Sequence, residues 1–414
     1  MSLNRMSIRL VAGALALSMG LPALAQNLET MELFAPADVS TYGSGIQPKE
    51  GYFFSLDWLN WYISKPDVAV IGNDTPGERS RLVYNVGNPD TAWTQTNSHD
   101  TGAFESAVTN GNRIEFGRVC DRQGWMVGIY NLRDQTQRFV ASDVNVVFAD
   151  DDDWGDPSGG RLQGPIVQTT PGDPTTNGPN VNLPVIFDEM TVVNRVEHWN
   201  VELMCLHRTR PFHYGGYFEF FAGVRYFEFD ESFGVDARRV DDPNAATPPN
   251  NASVILANSL WDTMAENHVI GPQAGVRWFK QSSRWMFSTE ARFLAGYNLQ
   301  NLSQTGILAS EINPIPSTRV LGEPALMLAT PFDHVDHEEV FSPVVELRAE
   351  LRYQFTRAVS FRAGWTGMWM DGIARASNLV DYSLFEQGVM GILADNNDRD
   401  VFIHGLTIGV DVNR

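Results

Sequence analysis

Three groups of residues in this 414-residue chain are of types and spacings that could do chemistry. The run Asp333-His334-Val335-Asp336-His337-Glu338-Glu339 sets imidazoles beside carboxylates, a donor set suited to a divalent metal or to activating a water. Within it His334, Asp336 and His337 are the candidate metal ligands, and the only candidates for hydrolysis. Asp150, Asp151, Asp152, Asp153 and Asp156, ahead of Gly159, offer hard oxygens for Ca²⁺ without EF-hand spacing. Beyond that weak calcium option no cofactor is expected, and no phosphate-binding glycine loop or Gly-x-Ser-x-Gly elbow occurs. The third group is larger: Arg and Glu recur at every second position, as in Glu290-x-Arg292 and Glu346-x-Arg348-x-Glu350-x-Arg352.

A repeat of two is the period of a strand, so the elements that carry this third group must be β. Over residues 285–297 one face reads Trp285, Phe287, Thr289, Ala291, Phe293, Ala295, Tyr297, while Glu290 and Arg292 lie on the other. Segments 341–353, 359–369 and 218–226 repeat the division. Soluble strands peak near 5 to 6 residues, whereas tilted spanning strands need about 9 to 11. Twelve steps at about 3.3 Å and about 45° tilt rise roughly 28 Å, the depth of a hydrocarbon layer. The apolar faces are bounded by aromatics, and Tyr226, Trp278, Trp285, Tyr297, Phe341, Tyr353 and Trp369 are the expected interfacial girdle. A soluble β-sandwich is the weaker alternative.

Strands are predicted near 52–63, 112–120, 124–133, 192–208, 215–229, 265–279, 284–297, 340–354, 358–371 and 400–412. Long connections at 64–111, 134–191, 230–264, 298–339 and 372–399 alternate with short turns near 121, 211, 281 and 356. The expected fold is all-β: a closed antiparallel transmembrane β-barrel of ten strands, with short periplasmic turns and long outer loops. Segment 138–148 also reads as a strand, and pairing near Val185 would raise the count to twelve. Cys120 and Cys205 fall on strands separated by a third, so both thiols are expected to be unpaired.

Charge supports the same picture. The chain carries 30 Lys plus Arg against 50 Asp plus Glu, which argues against nucleic acid as a partner. Residues 1–25 read as a cleavable export signal, with Arg5 and Arg9 ahead of an apolar run and Ala23-Leu24-Ala25 at its end. Cleavage leaves 28 bases and 50 acids, a formal charge of −22. A periplasmic N-terminal segment at 26–50 and a barrel at 51–414 would follow. The five outer connections, with the second taken as 149–191, sum to −3, −7, −4, −5 and −2. The remaining charge is balanced, and a charge ladder inside the barrel is expected from Arg113, Glu115, Glu202, Glu219, Arg225, Arg277, Glu290, Arg292, Glu346, Arg348, Glu350, Arg352 and Arg362. These side chains must face inward, because an Arg in lipid at midplane costs about 2 to 4 kcal/mol.

Whole segments also carry a family likeness: GYFFSLDWLNWYI at 51–63, EFFAGVRYFEFDESF at 219–233, ENHVIGPQAGVRW at 266–278 and FSPVVELRAELRYQFTRAVSFRAGWTGMW at 341–369. Through them the chain resembles the putative β-barrel porin family of planctomycete-type bacteria. The likeness weakens in the long loops and near GIARASNLVD at 372–381. It implies an outer-membrane barrel with a transport role, and it supplies no catalytic residues.

The functional expectation is a porin-like passive channel of small bore for ions or small solutes, seated in outer-membrane lipid, with acidic outer loops favouring cations. A closed barrel serving as surface anchor or adhesion platform is the main alternative, and a surface hydrolase using His334, Asp336 and His337 a third. Ten or twelve strands lie between the eight that side chains can fill and the sixteen that leave an aqueous channel.

Overall fold

In the computed structural model the described residues are 50–72, 81–83, 93–95, 99–148, 183–212, 216–238, 259–308, 330–382 and 390–413. The export signal, nearly all of the 26–50 segment and the Asp150 to Asp156 group lie outside them. Ten long strands form the wall: β1 (Gly51–Ile63), β2 (Ala107–Cys120), β3 (Gln123–Phe148), β4 (Leu183–Arg208), β5 (Gly216–Arg238), β6 (Ser259–Ser282), β7 (Trp285–Leu308), β8 (Thr330–Gln354), β9 (Val359–Ile373) and β10 (Arg399–Asn413). Each pairs antiparallel with its sequence neighbours, and β10 pairs with β1 to close the barrel. Closure satisfies every edge, the condition for a sheet to cross lipid.

The strand count is ten. Segment 138–148 does pair near Val185, with Val146 opposite Val185, but as a continuation of β3 against β4 past a bulge between Leu132 and Gln135. The strands therefore reach well into stretches expected to be loop, including 298–308 and 330–339. The wall is lopsided as a result. Strands β3 to β8 run to 23 to 26 residues, while β1, β2, β9 and β10 have 13 to 15.

Two-residue turns join β2 to β3 and β6 to β7, each led by a left-handed residue, Asp121 at φ 56° and Ser283 at φ 55°. These turns lie at the same end as the first and last strand ends. Outward-facing Phe220, Val224, Ile270, Phe293, Leu347, Leu351, Leu406 and Ile408 are each about half exposed, forming the apolar belt that the alternation predicts. At the opposite, loop end, residues 374–382 and 390–398 lie off the wall after β9 and inside the lumen. Gly372, at φ 68°, makes that departure, where a Cβ would also meet the Phe341 carbonyl at 2.8 Å. The inserted segment contains a small antiparallel pair, Val380–Asp381 with Gly391–Ile392.

Candidate functional site: a filled lumen

All thirteen residues of the charge ladder converge inside the lower half of the barrel. Their partners lie across the lumen as well as on neighbouring strands. Arg348 on β8 reaches Glu115 on β2 at 2.8 Å, Arg225 on β5 reaches Glu346 on β8 at 2.7 Å, and Arg292 on β7 reaches Glu202 on β4 at 2.6 Å. Neighbouring contacts complete the belt: Arg348 to Glu346 at 2.5 Å, Arg352 to Glu350 at 2.8 Å, Arg277 to Glu219 at 3.3 Å, and both Arg277 and Arg292 to Glu290.

Three members escaped the sequence reading. Asp57 accepts from Arg113 at 2.8 Å and from Arg362, Asp411 lies 3.4 Å from Arg352 and from Arg362, and Arg208 donates to Glu219 at 2.7 Å. Alternation could have found Asp57, which shares an inward face with Leu59 and Trp61 while Leu56 and Trp58 face out. With these three the belt holds eight guanidinium groups and eight carboxylates, and it is formally neutral. Room for it comes partly from backbone: a Cβ on Gly409 would lie 1.9 Å from Asp57 Oδ1.

The belt is dry. Arg113 is 1% exposed, Arg225 2% and Glu346 1%, values that a water-filled bore would not give. Above it, Tyr130 donates to His198 Nε2 at 2.8 Å and accepts from Arg225 at 3.0 Å, while His198 Nδ1 donates to the Glu228 carbonyl at 2.7 Å. Around them Leu59, Trp61, Phe227, Phe229, Val269, Leu294, Met368 and Ile403 form one buried apolar layer contributed from most of the circumference.

Higher still, the inserted segment is tied to the wall by amides. Asn267 donates to the Ala374 carbonyl at 3.0 Å and accepts from its N–H at 2.8 Å, Asn298 donates to the Gly372 carbonyl at 2.8 Å, and Asn397 donates to Gln300 at 2.7 Å. Arg375 makes a two-pronged contact with Glu231, at 2.5 and 3.1 Å, and Asn194 donates to the same carboxylate at 2.7 Å. Leu379, Val380, Tyr382 and Met390 then pack with Phe233, Trp261 and Leu302 of the wall, and with Ile71 and Phe104 from the β1–β2 connection. Burial raises the Tyr382 phenol well above its ordinary range.

The girdle residues all lie on outward positions at two levels. Trp285 and Tyr353 meet at the turn end with rings 4.8 Å apart, beside Trp278, which packs on Phe287. Tyr297 and Phe341 are cross-strand partners at the other level, near Tyr226 and Trp369.

The imidazole and carboxylate run is corrected in two ways. It lies on β8, paired with β7, and not in a loop. Period two then places His334 and Asp336 on one face and His337 on the other, where His337 Nδ1 lies 3.0 Å from Asn301 Oδ1. No three metal-type ligands gather among the described residues. The hydrolytic constellation imagined for His334, Asp336 and His337 therefore does not assemble. Cys120 and Cys205 are free and exposed.

A neutral ionic core inside a closed barrel with an apolar belt and two aromatic levels is the architecture of an outer-membrane protein, and the description putative beta barrel porin-7 matches residues 53–413. The chain belongs to that family. Membership and closed fold together place it in the outer membrane, so the turn end is periplasmic and the loop end external. No curated protein matches the chain. Among solved structures it is similar to a TodX monoaromatic hydrocarbon channel mutant, with 7% identity over 92% of this chain and 94% of that one and a TM-score of 0.23. It is also similar to the toluene transporter TbuX of Ralstonia pickettii, with 10% identity, 92% of each chain and a TM-score of 0.19. A Pseudomonas aeruginosa FadL homologue gives 11% identity, 92% and 95% coverage and a TM-score of 0.25. At such TM-scores these likenesses carry no argument about what passes through this barrel.

Proposed function

We propose that this family member is a porin-like conduit for ions or small solutes whose lumen is shut at rest, with the inserted residues 374–382 and 390–398 as the movable closure. One observation carries the reading: the closing segment is not part of the wall. Ile373 and Arg399, which flank it, are already cross-strand partners. The barrel is therefore complete without it. Its polar ties are amide hydrogen bonds and one ion pair, contacts that water replaces at a net cost of about 0.5 to 1.5 kcal/mol per hydrogen bond, and they add to the apolar packing of Leu379, Val380, Tyr382 and Met390 that opening must also release. Below the closure and the apolar layer beneath it the lining is ionic and neutral, a surface that hydrates readily once water reaches it, because the desolvation penalty of buried pairs offsets most of their attraction. The acidic outer connections would concentrate cations at the external mouth.

The test is a planar-bilayer recording of the full chain beside a variant in which 374–398 is replaced by Asn-Gly, a two-residue turn suited to joining paired strand ends. Rare conductance steps in the parent and frequent steps in the variant are expected, with a reversal potential in a salt gradient reporting ion preference. The lumen filled from wall to wall favours a second reading, a closed barrel serving as an anchor for its external loops. Folded barrels of both forms that never conduct would decide for the anchor. Export by a cleaved leader belongs to the same proposal, and the mature N-terminus should then sequence from Gln26.

A further inference from the structure

The turn end of the barrel carries the opposite charge to the loop end. Each of its four short turns holds an arginine: Arg122 between β2 and β3, Arg210 between β4 and β5, Arg284 between β6 and β7, and Arg357 between β8 and β9. Arg118 on β2 and Lys280 on β6 add two outward cations next to the turns. Arg284 is half-buried and the other five are exposed. Outside the neutral ion-pair belt, the described residues at this level set only Glu50 and Asp121 against these six, an excess of four positive charges. The five outer connections, by contrast, are all acidic.

These cations are not engaged within the protein. Arg122, Arg210, Lys280 and Arg284 make no side-chain hydrogen bond or ion pair among the described residues, and the Arg118 guanidinium lies over the Tyr52 ring at 5.0 Å. Aromatic residues fix their height. Arg118 follows Phe116 by two residues on the outward face, where Phe116 stacks on Tyr52 at 6.2 Å and meets the edge of Trp125 at 5.4 Å. Lys280 follows Trp278 in the same way, and Arg284 directly precedes Trp285. Two strand steps of about 3.3 Å at about 45° tilt put Arg118 and Lys280 roughly 5 Å beyond the aromatic level. Interfacial Trp and Tyr mark the headgroup region, so cations just beyond them stand at the depth of the lipid phosphates.

We propose that this rim binds phospholipids of net negative charge in the periplasmic leaflet, their phosphates resting on Arg118, Arg122, Arg210, Lys280 and Arg284. A zwitterionic headgroup brings its own cation and leaves the excess charge unanswered. A soluble anion makes no use of the aromatic ring that sets the cations at phosphate depth. The rim lies outside the lumen, so its occupancy does not depend on whether the barrel conducts.

Cys205, exposed on β4 opposite Trp125, is a native reporter beside the rim. The full chain carrying Cys120→Ser, labelled with bimane at Cys205, is placed in phosphatidylcholine bilayers that contain brominated phosphatidylglycerol or brominated phosphatidylcholine. The anionic lipid should quench the label better, with a relative association of roughly 5-fold at low salt that falls toward unity as salt screens the charges. Arg122→Gln, Arg210→Gln and Arg284→Gln together, all outside the ion-pair belt, should abolish the preference. Arg122→Lys, Arg210→Lys and Arg284→Lys together should keep it. Equal quenching by the two lipids, the result expected of a rim that serves a soluble periplasmic anion, overturns the proposal. So does a preference that salt does not weaken, one that survives the Gln changes, or one that the Lys changes remove. None of these results depends on conductance, so the gated-conduit reading stands or falls separately.

Discussion

The lower and upper halves of this barrel use the same inward strand positions for opposite purposes. Between the aromatic levels, where the wall faces lipid, the interior is ionic in its periplasmic part and gives way to a buried apolar layer toward the external level. Beyond the external level the strands continue, with 298–308 of β7 rising about 25 Å farther, and there the interior is filled by the inserted segment, whose apolar side chains form a core with the wall alongside amide ties and the Arg375–Glu231 pair. The surroundings explain the inversion. A wall in lipid gains nothing by turning its apolar residues inward, so they cover the outside and the lumen is left to paired charges. A wall in water must bury apolar surface to hold its shape, and only the lumen is available.

The sharpest test of this contrast is single against paired removal. Arg225→Met leaves buried Glu346 with Arg348 as its remaining guanidinium partner, and should cost about 3 kcal/mol in urea unfolding from detergent, while adding Glu346→Met should recover part of that loss. The upper half should behave otherwise. Leu302→Ala opens a cavity costing about 2 to 5 kcal/mol, and a second truncation at Phe233 should deepen the loss instead of relieving it. If both pairs recovered alike, or neither did, the two halves would not differ in kind.

Smaller effects refine the comparison. Gly409→Ala forces a methyl against Asp57 and should destabilise by about 1 to 3 kcal/mol, read by the same unfolding curve. Tyr382 gives the least effect. Its phenol is held neutral by burial, so its contribution is intact below the unfolded value of about 10 and is lost as pH rises above that. Tyr382→Phe should leave stability nearly unchanged at pH 7 and lose less than the parent between pH 10 and 11.

Much of this was legible beforehand. Alternation of greasy and charged residues in β5, β7, β8 and β9 gave the wall, its outward face and the ladder of Arg and Glu. Strand ends were less legible, because above the membrane the outer face turns polar and the run Asp333 to Glu339 looks like loop; it still pairs with β7 throughout. Asp57 was legible by the same period and was passed over. Arg208 and Asp411 were legible in the same way, Arg208 in phase with Glu202 on β4 and Asp411 on the face opposite the outward Leu406, Ile408 and Val410 on β10. The closure was foreshadowed by the weakest charge of the five outer connections and by the apolar Leu379, Val380 and Met390 within it. A connection that carries little charge has less reason to stay in water.

The amino-acid order determined that this chain makes a closed wall of long strands with a lipid-facing belt, since a period of two and a spanning length are local properties written residue by residue, whereas the choice of ten strands over twelve came from 138–148 continuing β3 against β4. Which Arg meets which carboxylate, and whether the lumen is open, depended on distances across the barrel between residues far apart in the chain, as for Arg348 and Glu115. Those distances exist only once the cylinder has closed, because closure fixes the diameter that side chains must bridge or leave empty.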